Sequence, residues 1–496
     1  MMRPHRRAAS AALLLVMLLV AAACGQKPGV GGQITPLAGG GLLGASPPPE
    51  GAVGINEQGQ YVDAEGNVLG PAGASSLGTG GSAGTTGGTT GTTGGEGGSG
   101  LGGGATGGGA SEPSGGNAAG VTADKIVIGV HAPLTGAVPV PSDSVDKGKD
   151  LYYRWLHEEK DLTINGREVE VIIKNDQYNP STAVSVCKEM VEKDDVFMLS
   201  GVGGTDQIAA CARYAEGAGV PYVAAGVTEQ GISGYRSFFG ISMTYPEQGP
   251  LLADYMLNKL GARSEKNGML MFDSASFNDA HDIFKSAFTS KGGKIDYDRR
   301  VSKGAGAPDA NTRVQEMNLA GIENVYVLTS PVYFAALLKA ANAQGYHPQW
   351  VGVGISMTFD TVVVTACGDG PAIDGAKFFS PFPAFIDSNK FDPDFQAAVR
   401  KFYPQKCGTS GCGDDFMFLP WWLTKVFAQT LELPGKALTR ERFVYLTERA
   451  RGLQNKIGPT LNFSPTDHFG ASQVHVNEAR CSDRRWHTIQ SFASDF

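Results

Sequence analysis

The chain has 496 residues, a formal net charge of −8 and a pI near 5.6, with 42% hydrophobic and 18% charged residues. The acidic balance excludes the basic face that a nucleic-acid partner requires. The 69 glycines are far more than a packed chain of this length uses, so part of it builds no core.

The first segment, residues 1–24, reads as an export signal. Arg3, Arg6 and Arg7 precede an apolar run over 11–23, which ends in Ala21-Ala22-Ala23-Cys24. The run is short for a membrane span and closes on small residues, as a cleavage site requires. It resembles the lipobox of bacterial lipoproteins, which prefers Leu where Ala21 stands. That resemblance implies lipidation of Cys24, and two or more acyl chains would hold the mature protein at a membrane. No later stretch is apolar enough to span a bilayer. Residues 25–123 are expected to be a disordered Gly/Ser/Thr-rich tether. Segments such as Gly80-Gly81-Ser82-Ala83-Gly84-Thr85-Thr86-Gly87-Gly88 bury too little apolar surface to offset their ordering entropy.

Folding is expected from Asp124 onward, over a length greater than one ordinary domain. Lys125-Ile126-Val127-Ile128-Gly129-Val130 is β-branched and short, hence a buried strand. Leu151, Tyr152, Trp155 and Leu156 then recur at helical spacing within 147–157. Strands at 169–173, 196–199 and 221–224 alternate with helices at 181–192 and 205–218. The rhythm restarts after Tyr245, with strands at 269–272, up to Val301, at 324–327 and at 350–353. Helices from Asp279, from Thr312 and over 331–344 separate them. A helical stretch over 416–433 and shorter strands follow. This alternation predicts an α/β chain with two Rossmann-like lobes, each a parallel sheet flanked by helices.

Besides Cys24, six cysteines remain: Cys187, Cys211, Cys367, Cys407, Cys412 and Cys481. An even number in an exported chain points to disulfides. Cys187 and Cys211 fall on consecutive helices beside adjacent strands and are the disulfide candidate; the other four have no assigned partners. Cys407-Gly-Thr-Ser-Gly-Cys412 lacks a second Cys/His pair at zinc-finger spacing, so no metal is expected.

No nucleophile elbow, zinc-protease helix or phosphate-binding Walker loop occurs, so neither a catalytic residue nor a cofactor is expected and the chain does not read as an enzyme. Gly201-Val202-Gly203-Gly204 follows a strand and opens a helix, but without dinucleotide-fingerprint spacing. Such a turn exposes N–H groups and the positive end of a helix dipole. Thr205 stands where a helix cap would, and Val227-Thr228 adds a second hydroxyl at the same carboxyl edge of the sheet, where open α/β sheets bind ligands. A carboxylate suits this edge; the alternative is that Thr205 only caps its own helix.

From Lys125 onward the sequence resembles the type I periplasmic binding proteins, specifically the branched-chain amino acid group of ABC-importer receptors. The landmarks are Pro133-Leu134-Thr135-Gly136, Asn175-Asp176-Gln177-Tyr178-Asn179-Pro180, Gly219-Val220-Pro221, Gln248-Gly249-Pro250 and Ile457-Gly458-Pro459, in order along the chain. The resemblance implies two lobes joined by three crossovers: residues 124–244 plus 381–454, and 245–380 plus 455–496. It also implies a monomer that delivers a small solute to ABC permease and ATPase subunits. A ligand sensor of the same fold, signalling to a membrane partner, is the alternative. By the same resemblance, loops at Gly204-Thr205 and Val227-Thr228 hold a carboxylate, Phe277 and Phe416 wall the cleft, and Ser330 stands where the family commonly has Tyr. The acid that pairs with a ligand's ammonium falls at Gly354, which has no side chain. Asp360, the nearest acid, is expected at the surface. A desolvated ammonium without a counter-charge is costly, so an apolar or aromatic carboxylate, or an uncharged amide, is expected ahead of an amino acid.

Overall fold

The structure is a computed structural model that describes residues 118–225, 228, 231–409 and 411–496, together with the backbone of four short strands nearer the N-terminus. Those strands, β1 (Thr35–Pro36), β2 (Gly54–Ile55), β3 (Gln60–Val62) and β4 (Val68–Pro71), form an antiparallel sheet in sequence order. They lie inside the stretch expected to be tether. The Gly/Thr-rich middle carries that expectation, whereas Ile55, Tyr61, Val62, Val68 and Leu69 supply the apolar and β-branched residues that strands use. Cys24, the export signal and the rest of the tether up to residue 117 lie outside the described residues.

The chain divides into two units, Met1–Thr106 and Gly107–Phe496. In the second, residues ahead of Asp124 already pack on the folded body. The Ala118 N–H donates to the Leu438 carbonyl at 3.1 Å, and Val121 is buried.

Lobe one carries β5 (Lys125–Ala132), α1 (Ser142–Gly148), α2 (Leu151–Lys160), β6 (Glu168–Asn175), α3 (Pro180–Glu192), β7 (Met198–Gly201), α4 (Thr205–Ala218), β8 (Tyr222–Ala224) and β9 (Phe238–Gly240). Its sheet is parallel throughout, in the order β6-β5-β7-β8-β9. The order reverses between β5 and β7, and the loops that leave these two strands frame a crevice, the place where open α/β sheets take ligands. Lobe two carries α5 (Tyr245–Lys259), β10 (Asn267–Phe272), α6 (Asn278–Ser290), β11 (Ile295–Val301), α7 (Ala307–Ala320), β12 (Asn324–Leu328), α8 (Pro331–Gln344), β13 (Gln349–Val353), α9 (Asp360–Asp369) and β14 (Lys377–Ser380). The chain then gives lobe one the helices α10 (Ser388–Phe391), α11 (Pro393–Phe402), α12 (Asp415–Glu432) and α13 (Arg440–Thr447), with a two-strand ribbon, β15 (Cys407–Gly408) and β16 (Gly411–Cys412), between α11 and α12. It ends with β17 (Val474–Arg480) and β18 (Arg485–Ala493) on the second sheet, whose order is β11-β10-β12-β13-β14-β17-β18. The last two strands pair antiparallel.

The final crossover comes later than expected. Residues 455–473 were assigned to lobe two, but Ile457, Leu461, Phe463 and Ala471 bury themselves in the lobe-one core. The Gly240 N–H donates to the His468 carbonyl at 2.8 Å, and the Gly470 N–H to the Gly240 carbonyl at 3.0 Å, so this segment extends the edge of the first sheet. The return to lobe two is made at about Val474.

Local sequence explains several helix starts. Asn179 accepts from the N–H groups of Ser181 and Thr182, with Pro180 as the first helical residue of α3. Thr244 and Glu247 form a reciprocal capping box at α5, and Asp414 caps α12. Cys187 and Cys211 form a disulfide between α3 and α4, Cys367 pairs with Cys481 within lobe two, and Cys407 pairs with Cys412 across the β15–β16 ribbon. Among the described residues, no helix is long and apolar enough to cross a membrane.

Candidate functional site

Two groups of contacts bridge the lobes at the carboxyl ends of the sheets. The first gathers around Asp206, in the first turn of α4. Its carboxylate accepts from the Ser276 hydroxyl at 2.7 Å and from Ser274 at 3.4 Å, and forms an ion pair with Lys303; all three partners belong to lobe two. Burial works against that charge, but the bonds from Lys303 and Ser276 outweigh it and hold the pKa below the ordinary carboxylate value. Beside it the Thr228 hydroxyl donates to the Ser276 carbonyl at 3.0 Å. The second group joins α12 to α9. Phe359 packs on Phe416 with ring centroids 4.6 Å apart, and the Asp360 N–H donates to the Asp415 carboxylate at 3.0 Å.

Asp360 is not the surface acid the sequence suggests. It is buried, pairs with Arg485 at 2.6 Å and accepts from the Trp486 N–H at 3.0 Å. Its ion partner comes from β18, which explains why no local pattern announces the burial. Burial raises the pKa of Asp360, with Arg485 partly opposing the shift. It also drives the fully buried Asp415 well above the carboxylate range, and the neighbouring Asp360 charge adds to the effect.

Between these contacts lies a cavity of about 100 Å³. The loop after β7 supplies its floor, from Gly201 to Thr205. Phe416, Leu419, Pro420 and Leu423 of α12 form one wall, and Tyr245, Ile355, Ser356 and Phe359 form the lobe-two side. The floor needs glycine: Gly204 has φ of +76°, and a Cβ there would meet the Gln207 side-chain oxygen at 2.0 Å. Gly204, not Thr205, is the N-cap of α4, and no side chain caps this helix. Thr205 is therefore the first helical residue, and the expected cap role is corrected. The first-turn N–H groups of α4 have no intrahelical acceptor and face the crevice end of the sheet. On α12, Pro420 lacks the N–H that would bond the Phe416 carbonyl one turn earlier.

A buried chain supports the floor from below. His131, at the end of β5, bonds Asp176 at 2.7 Å through one ring nitrogen and the Tyr222 hydroxyl at 2.7 Å through the other. Asp176 also accepts from the Tyr178 N–H, while Gln177 and Tyr178 both take the left-handed conformation, with φ of 56°. Two consecutive non-glycine residues in that region are held only by surrounding structure. They bring the Tyr178 ring to the edge of Gly204.

The sequence-derived site residues divide as follows. Gly204, Thr205 and Phe416 line the cavity. Gly354, with φ of +129°, adjoins it: a Cβ there would stand 3.5 Å from the Tyr245 hydroxyl. Thr228 is fully buried at the lobe contact, and Phe277 packs edge-on against Tyr245 at 5.8 Å, so both sit beside the cavity rather than in its wall. Val227 lies outside the described residues. Ser330 accepts from the Tyr333 N–H and caps α8, which accounts for the residue without a ligand. Tyr245, Ser356 and Phe359 were not anticipated. Tyr245 follows the Thr244 cap, a signal that marks where α5 starts but not what faces the cleft.

A family model for periplasmic binding proteins matches residues 125–484. The leucine-, isoleucine-, valine-, threonine- and alanine-binding protein of Pseudomonas aeruginosa is 23% identical over 322 residues, covering 64% of this chain and 80% of that protein. Among solved structures, a fatty acid ABC transporter substrate-binding protein from Thermomonospora curvata superposes with a TM-score of 0.64 at 17% identity, over 77% of this chain and 95% of that one. The solute-binding protein of an ABC transporter from Rhodopseudomonas palustris, solved with 3,4-dihydroxybenzoic acid, gives a TM-score of 0.61 at 20% identity, over 75% and 99% of the two chains. The two lobes, their crevice loops and this extended match agree: the chain belongs to the periplasmic binding protein family, with the type I fold of its branched-chain amino acid group.

Proposed function

We propose that the chain is an extracytoplasmic solute receptor of an ABC importer, anchored by lipid on Cys24, which closes its lobes over a small apolar or aromatic carboxylate or an uncharged amide. The observation that carries this reading is the cavity wall. Among its described lining residues, the polar groups are the hydroxyls of Thr205, Tyr245 and Ser356 and the backbone of the 201–204 loop, and none is charged. Hydroxyls and helix-end N–H groups suit an anion or a strong acceptor, and the remaining wall is the apolar surface that small-molecule sites favour. An ammonium would find no counter-charge: Gly354 has no side chain, and Asp206, the acid at this edge, is engaged by Lys303. Relatives that bind amino acids, fatty acids and aromatic acids bracket this ligand class without choosing within it.

A thermal-shift screen of acids, amides and amino acids tests the ligand class. A ligand at 100 times its dissociation constant adds about 2.7 kcal/mol to stability. Acids or amides should shift the transition and leucine and valine should not; the reverse ranking overturns the reading. For the anchor, Cys24→Ser should move the protein out of the membrane fraction, and unchanged partitioning removes that part of the proposal.

A further inference from the structure

The cleft cavity does not end at α12. Behind it, inside lobe one, lies a second void of about 20 Å³, and the two share Val145, Val202, Pro420 and Leu423 as common walls. The inner void runs between the sheet and the helices that cover it. Val130, Val171 and Ser200 come from β5, β6 and β7, and Thr424 and Phe427 from α12. Its one charged lining residue is Lys149, whose ammonium is turned to Asp146 at 2.7 Å, leaving the alkyl stem for the wall. The Thr424 hydroxyl is bonded to the Pro420 carbonyl of its own helix at 2.8 Å.

Ser200 stands out among the residues lining the inner void. It is fully buried, flanked on the sheet and in the following loop by Val130 and Val202, and its hydroxyl has no hydrogen-bond partner among the described residues. A valine would fill the space and remove a buried unsatisfied donor, so serine is the worse choice for stability alone. The covering wall is also lightly held. α1 spans only seven residues, with Pro141 at its cap position and no side-chain cap bond, and helices this short depend on packing rather than on their own propensity.

Resting on the carboxylate reading above, we infer that the two voids are one channel for an unbranched aliphatic tail, so that the preferred ligand is a straight-chain aliphatic carboxylate whose head group stays at the β7–α4 loop. Shape decides between tail and ring. Two voids in line that share Val145, Val202, Pro420 and Leu423 as walls admit a flexible chain with small side-chain shifts, whereas a rigid ring must pass the same four residues without bending.

The test is calorimetric titration of the full chain with butanoate, hexanoate, octanoate and benzoate, repeated on Ser200→Val and Val171→Phe. Both substituted residues line the inner void and not the outer one. In the unaltered protein each added methylene should tighten binding about fourfold, the equivalent of about 0.8 kcal/mol, through octanoate. The variants should keep butanoate affinity and lose the gain from hexanoate to octanoate. Ser200→Val removes a buried orphan hydroxyl and carries the test if Val171→Phe fails to fold. Affinity that is level or falling from butanoate to octanoate, or variants that weaken both acids equally, overturns the channel while leaving the carboxylate reading intact. Failure of every acid, benzoate included, overturns both.

Discussion

Lys303→Met should loosen the lobes before any ligand is present. Lys303 belongs to lobe two and pairs with Asp206 of lobe one, whose carboxylate also accepts from Ser276 at 2.7 Å. Hydrogen bonds to charged groups contribute about 1.5–3 kcal/mol each. Both side chains of the ion pair are about a third exposed, at 32% and 31%, so solvent screening reduces this one to about 1 kcal/mol. Methionine keeps the apolar stem beside the Phe277 ring, over which the Lys303 ammonium lies at 5.6 Å, so most of the loss is electrostatic. A loss of about 1 kcal/mol shifts the open–closed equilibrium about fivefold. Single-molecule energy transfer between labels on α3 and α7 reads that equilibrium directly. The variant should populate the open state more, and added salt should open the unaltered protein but have little effect on the variant. Identical distance distributions for the two proteins, at low and high salt, would refute the assignment of Asp206 and Lys303 as a closure latch.

Asp415→Asn should raise stability at neutral pH. The carboxyl is raised well above its ordinary value in the folded state, so its favourable contribution is complete below about pH 3.9, the unfolded value, and is lost as pH rises through the folded value. Asparagine keeps an acceptor for the Asp360 N–H without the charge, so the gain in melting temperature should be a few degrees at pH 7 and vanish near pH 4; a gain that grows on acidification contradicts this. Gly354→Ala should cost about 1–3 kcal/mol, because φ of +129° strains any residue with a Cβ. For the same reason Gly354→Glu should not create leucine binding, as denaturation and titration of both variants would show. Of the disulfides, Cys367–Cys481 closes the longest loop, with a separation of 114 residues against 24 for Cys187–Cys211. Replacing each pair by alanine should cost up to about 5 and about 3 kcal/mol respectively, and an inverted order of urea midpoints would show that loop length is not what governs them.

The lobes were legible because each buried strand is a short β-branched run bounded by turns, and each covering helix repeats its apolar face; Lys125-Ile126-Val127-Ile128 and the 147–157 segment are clear cases. The boundary at 455–473 was not, because that segment is held by isolated bridges to Gly240 and by scattered apolar anchors, with no period to read. The floor of the cleft was visible in Gly203-Gly204-Thr205, where a strand turns into a helix. Its walls were not. α12 is buried on nearly every side, so nothing in its composition separates the residues facing the cleft from those facing the sheet. Asp360 shows the same limit for charge, since its partner Arg485 lies 125 residues away.

Leucine and 4-methylpentanoate share one side chain and one carboxylate and differ by the ammonium. Competitive titration of the two into the unaltered protein therefore isolates the question of whether this cleft requires a positive charge. The account predicts that 4-methylpentanoate binds the more tightly, because no described residue of the cavity wall carries a negative charge to pair with an ammonium. Tighter binding of leucine, at micromolar affinity, would contradict it.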